Sequence, residues 1–229
     1  MSSTLALALL QLPGVETPEM TLMDIWEGGG WMMWFLAAAF VVGIGVVIWK
    51  LIDLTSTGAR TRRVLREVDA LVAEGRIAEA VETADASNTP AGRILGEGLR
   101  RADEGTERVI KAIENAGLIE MAKLESGLVV LATVSTIAPL LGFLGTVVGM
   151  IAAFQAIEAA GEVDATTVAA GIKVALITTA AGLAIAIPIS IAHNYFVSRI
   201  DRLVIDMEES AQRTIDHLHD RETRRGVTV

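Results

Sequence analysis

Two serines and two threonines carry the polar chemistry this chain could offer inside a bilayer. Ser135 and Thr146 are eleven residues apart, and so are Thr179 and Ser190. Eleven residues is close to three whole turns of α-helix, so each pair shares one face. Pro139, Gly142 and Gly149 lie near the first face, and Gly145 flanks it. Gly182, Leu183 and Ala186 lie between the second pair, and Thr178 sits about a quarter-turn away. Stripes of this kind admit two readings. Small residues let helix backbones approach, and hydroxyls can bond back to the preceding turn. Hydroxyls can equally orient water and solvate an ion along a path, although they do not titrate.

Other chemistry is scarce. The chain has no cysteine, and its three histidines are His193, His217 and His219. His217 and His219 are two apart on a polar helix and face different ways, so no metal site is expected. No phosphate loop, catalytic triad or carboxylate dyad is present. The sequence therefore points away from an enzyme, and no cofactor is expected.

These stripes lie in very apolar elements. Of the 229 residues, 52% are hydrophobic, and charge is absent from 28–49, 127–157 and 174–198. About 20 apolar residues cross a hydrocarbon core of ~30 Å. Three such runs predict an all-α membrane protein with three transmembrane helices. Basic residues fix its orientation: none in 1–49, twelve in 50–126, six from Arg199 onward, and Lys173 alone elsewhere. The positive-inside rule then puts the N-terminus outside and the C-terminus in the cytoplasm. Basic and acidic residues are interleaved, so no nucleic-acid footprint is present.

The expected order is an external segment 1–27, spans at 28–49, 127–159 and 166–198, a cytoplasmic helical part 50–126, an external loop 160–165, and a cytoplasmic helix and tail 199–229. Trp26, Trp31, Trp34 and Trp49 mark the two ends of the first span, as interfacial indoles do. One unbroken helix is expected from Thr106 to Ala159, long enough to project as a stalk and kinked at Pro139. The third span continues beyond Arg199. There Ile200, Val204, Met207, Ala211, Ile215 and Leu218 form a heptad-like seam.

The segments APLLGFLGTVVGM (138–150) and GIKVALITTAAGLAIAIP (171–188) resemble paired signatures of the MotA/TolQ/ExbB proton-channel family, and NTPAGRILGEGL (88–99) resembles its cytoplasmic part. Three spans favour the ExbB/TolQ branch. The resemblance implies a homo-oligomeric, pentameric ring in a bacterial inner membrane. That ring would surround a single-span ExbD/TolR-type partner that brings the protonatable aspartate. Force would pass to a TonB/TolA-type protein. It also implies that Thr146 and Thr179 face the partner on the ion path, with Thr178, Ser135 and Ser190 as further lining candidates. Pro139, Gly142, Gly145, Gly149 and Pro188 would shape and pack the helices. Many members carry a glutamate where this chain has Val174, preceded by Lys173. Lys173 would snorkel to the interface or contact a neighbouring subunit, lipid phosphate or the partner. His193 is either an interfacial residue or a proton exit group. The competing expectation is a non-conducting scaffold that holds a single-span partner.

Overall fold

The computed structural model describes residues 21–161 and 163–226, and all secondary structure among them is helical. Residues 1–20 of the expected external segment, Glu162 of the expected loop and the last three residues of the tail lie outside the described residues. A short helix α1 (Leu22–Gly28) is followed by α2 (Met32–Ala73), α3 (Ile77–Ala86), α4 (Pro90–Leu99), α5 (Thr106–Glu125), α6 (Leu128–Ala160) and α7 (Ala165–Gly226). Three helical stretches, in α2, in α5 with α6, and in α7, are long and apolar enough to cross a membrane. Their large side chains point outward, as Trp34, Phe143, Phe154, Leu176 and Ile187 do. In water such a surface would be costly, and in lipid it is the wetted face.

The first apolar helix does not begin at Gly28. The run Gly28 to Gly30 ends α1, Gly30 adopts φ +64, and the long helix starts at Met32. Thr21 caps α1, and its backbone and hydroxyl also bond the Asp24 carboxylate. Trp26 of α1 meets Trp34 of α2 edge to face at 5.0 Å.

The expectation of one unbroken helix from Thr106 to Ala159 is corrected by the structure. Ser126 turns extended (ψ 135) and Gly127 takes a left-handed φ of +86. The break is seated on the first span. A Cβ at Gly127 would lie 2.9 Å from Cζ3 of Trp49. Lys50 is wholly enclosed, and its Nζ donates to the Ser126 carbonyl at 3.0 Å. The same ammonium lies 3.8 Å from Asp53 and 5.3 Å from the Trp49 ring centre. A carbonyl freed by a helix break needs a donor, and this lysine supplies one from 76 residues away.

Beyond the apolar spans, α3, α4 and α5 pack against the polar ends of α2 and α7. Val68, Val72, Ala80, Ala84, Leu95 and Val109 are buried there. Gly75 ends the α2 turn with φ +82. Thr89 caps α4 through Gly92 N–H at 3.1 Å, with Pro90 in the first helical turn, where its missing N–H costs nothing. The seam after Arg199 is buried at Ile200, Met207, Ala211 and Leu218, and it also encloses Leu203, Ser210 and Thr214.

One buried carboxylate ties α4 to α5. Glu120 is 3% exposed and accepts from Arg93 at 2.6 Å and from Lys123 at 2.7 Å. Burial pushes its acidity toward the neutral form, but the two cationic donors together outweigh that and hold it below its ordinary value of 4.5. A depressed carboxylate stabilises the fold above its unfolded value, and that stability is lost as pH falls through the folded value. Glu120→Gln should therefore cost about 1 kcal/mol at neutral pH, a modest figure because both cations stay solvated. The gap between wild type and variant should close on titration below 4.5. Chemical denaturation at matched pH values checks it; a gap that persists in acid would assign the effect to packing instead.

Candidate functional site

Helices α6 and α7 lie antiparallel and nearly touch along a seam of small residues. Ala138 meets Gly182, Gly142 meets Thr178 and Thr179, and Gly149 meets Gly171 and Ala175. A Cβ at Gly182 would lie 2.6 Å from the Ala138 carbonyl oxygen, and one at Gly142 would lie 2.8 Å from the Thr178 carbonyl oxygen. One at Gly149 would lie 3.1 Å from the Gly171 carbonyl oxygen. Glycine is required here because backbone faces backbone. Gly142, Gly145 and Gly149 are buried as expected of packing residues.

This seam sets where the hydroxyls point. With 100° per residue, Ser135 and Thr146 fall on one edge of the α6 contact face. Thr179 and Ser190 fall on the corresponding edge of the α7 face. Because the helices are antiparallel, the two edges lie on the same side of the seam. All four residues are partly buried. Thr179 Oγ1 donates across the seam to the Gly142 carbonyl at 3.3 Å, and Thr146 Oγ1 donates to the Phe143 carbonyl at 2.7 Å. Ser135 donates to Ala132 O at 2.8 Å. Each of these hydroxyl protons is committed to backbone, so the oxygens offer lone pairs outward. Such a strip accepts hydrogen bonds from water or from a protonated acid. Pro139 is partly buried and lacks an N–H, which frees the Ser135 carbonyl one turn earlier as a further acceptor.

Two expectations change, those for Thr178 and Pro188. Thr178 does not line the strip. It is wholly buried against Gly145, and its hydroxyl bonds to the Val174 and Ala175 carbonyls, both at 3.0 Å. It is a filler of the seam. Pro188 is exposed rather than buried in the seam, and its effect on the helical ladder remains, since it supplies no N–H there. Lys173 is exposed on the face of α7 away from the seam. Its stem passes Gly28, where a Cβ would lie 3.6 Å from its Cε, and its charge is felt at Asp24. Thr21's hydroxyl, then its backbone, hold the Asp24 carboxyl below its usual range, and Lys173 adds a smaller pull in the same direction. Lys173 thus borders α1 rather than the hydroxyl strip. His193 is half-buried one turn beyond Ser190, with Nδ1 3.4 Å from Asn194 Oδ1. Among the described residues no group of three His, Cys, Asp or Glu could hold a metal ion.

Sequence reasoning missed Lys50 and Gly171. Lys50 looked like the first solvated residue after a span. Gly171 carries a signal that could have found it, since Gly171 and Gly182 repeat the eleven-residue spacing of the hydroxyls.

The helices and their seam define a multi-pass, all-helical membrane protein whose close-packed helix pair carries a hydroxyl strip. The model of the MotA/TolQ/ExbB proton channel family matches residues 86–209, more than half of the chain. The chain belongs to that family, and its relatives place it in the ExbB/TolQ branch. It is 30% identical over 182 residues to a putative biopolymer transport protein ExbB homolog of Methanothermobacter thermautotrophicus, covering 79% of this chain and 64% of that one. It is 42% identical over 111 residues to the biopolymer transport protein ExbB of Xanthomonas campestris pv. campestris, covering 48% and 42%. It is 41% identical over 102 residues to the Tol-Pal system protein TolQ of Pseudomonas aeruginosa, covering 44% of each. The chain therefore covers less than two thirds of the length of each of these relatives.

Proposed function

We propose that this chain is a proton-channel stator subunit that couples the proton motive force to mechanical work on the cell envelope, in biopolymer transport or envelope maintenance. It sits in a bacterial inner membrane with its N-terminus outside and its C-terminus in the cytoplasm. Copies form a ring, pentameric in this proposal, around a single-span partner of the ExbD/TolR type. A TonB/TolA-type protein receives the force. The role is conduction and force transfer, without catalysis.

The observation that carries the proposal is the one-sided strip of Ser135, Thr146, Thr179 and Ser190. Its free lone pairs suit a carrier that arrives protonated and donates. Apart from Glu158 at the end of α6 and Lys173 near the start of α7, the second and third spans contain no Asp, Glu, Lys or Arg between 127 and 198. Proton movement in membranes normally uses Asp, Glu or His, and the one histidine of these spans, His193, lies beyond Ser190 near the cytoplasmic end of the strip rather than along it. The titrating group is then the partner's, and the strip solvates its neutral form as it passes.

The test is proton flux into liposomes. Flux should require both this chain and the single-span protein encoded beside it, and should vanish when the partner's membrane-embedded aspartate becomes asparagine. Flux from this chain alone would point to a stand-alone channel. An intact complex that passes no protons would leave the scaffold role, which the absence of a carboxylate at Val174 favours.

A further inference from the structure

A second polar site lies well away from the seam, between α4 and α5. Five cations converge on a groove of about 620 Å³. Arg93 and Arg100 come from one wall, Arg101 from the connection, and Arg108 and Lys111 from the other wall. Only two carboxylates, Glu97 and Glu120, share the lining. This local excess of positive charge stands on a chain whose net charge is −9.

The walls follow helical spacing. Residues 93, 97 and 100 share one face of α4 and its cap, and residues 108, 111, 112, 115 and 119 share one face of α5. Ala112, Ala116 and Ile119 give the groove an apolar base. Three of the guanidinium groups are held in place. Glu120 holds Arg93 at 2.6 Å, Asp85 and Glu97 hold Arg100 at 2.6 and 2.7 Å, and Glu97 holds Arg101 at 3.1 Å. A guanidinium has five N–H donors, so each keeps donors for a ligand. Among the described residues Lys111 pairs with Glu107 alone, which is 84% exposed. Arg108 makes no ion pair among the described residues.

We propose that this groove binds a multiply charged phosphoryl anion. Oriented arginine forks match phosphoryl oxygens in pairs, which gives both affinity and geometry. The volume exceeds what one phosphate fills and suits a chain of two or three phosphoryl groups. The source is a free anion rather than a lipid headgroup. Arg108 stands near the start of α5, seventeen residues before Glu125, so at about 1.5 Å per residue the basic end of the groove sits roughly 25 Å from the break that leads into the apolar span, and only its Ile119 and Glu120 end comes nearer.

Calorimetry on the full-length protein in detergent, with inorganic tripolyphosphate as the probe, tests this. One saturable site per chain is expected, weakening as salt rises. Arg108→Gln removes a cation that makes no ion pair among the described residues, and should weaken binding at least about fivefold, with Arg108→Lys retaining part of it. Arg63→Gln, on α2 outside the lining of the groove, where Arg63 pairs with Glu67, should leave binding unchanged. Equal weakening in Arg63→Gln would reduce the effect to net charge and overturn the proposal. So would full affinity in Arg108→Gln, or no saturable binding at about 0.1 M salt. A parallel arm uses phosphatidylglycerol vesicles. Arg108-dependent binding to vesicles without any to tripolyphosphate would overturn the free-anion assignment.

Discussion

Gly182→Ala is expected to destabilise the folded protein by about 3 kcal/mol, the upper end for an added methyl group in a packed interior. The size follows from what the methyl group would meet. Its nearest neighbours are the Ala138 carbonyl oxygen at 2.6 Å and Gly142 Cα at 3.2 Å. Both are backbone atoms in a neighbouring helix, so no rotamer change relieves the contact, and the two helices must separate. Separation also removes the Thr179 bond to Gly142 and widens the strip. Gly117→Ala is the matched control. Gly117 is in α5, and a Cβ added there would meet nothing within 4 Å, so alanine should stabilise the helix by about 0.5–1 kcal/mol. Thermal unfolding in detergent, followed by tryptophan fluorescence, should show the two variants moving in opposite directions. An unchanged midpoint for Gly182→Ala would mean the seam is looser than these distances require.

The parts of the fold set by local pattern were legible in the sequence. Charge-free runs gave three membrane-length helices. The step of three and four after Arg199 gave the buried stripe of α7. What escaped depends on contacts between distant segments. The break at Ser126–Gly127 exists because Trp49 and Lys50 seat it, and neither residue is near it in sequence. A glycine within an apolar run reads equally as a packing surface or a bend, and only the partner decides. Thr178 and Thr179 show the same limit at the site. They are adjacent and chemically identical, yet a turn of 100° puts one inside the seam and the other at its edge. The sequence could place both near the strip but could not phase the contact face to within one residue.

That difference supports the sharper functional prediction. Thr179→Val should cut partner-dependent proton flux at least about tenfold while leaving the assembled complex intact. Tenfold corresponds to about 1.4 kcal/mol in a barrier, which is the scale of one hydrogen bond. Valine keeps the shape of threonine but removes an acceptor from the strip and the bond to the Gly142 carbonyl. At 3.3 Å that bond is long, so its loss should cost less than about 1 kcal/mol of stability. Thr178→Val should alter flux less than about twofold, because its hydroxyl is sealed in the seam and bonded only to carbonyls of its own helix. The membrane potential supplies only about 2.3 kcal/mol per proton at 100 mV. A lost acceptor on the path is therefore a large fraction of the driving force, whereas a lost hydroxyl inside the seam is not. If the two valine variants conduct alike, the hydroxyl strip holds helices together and the ions pass elsewhere.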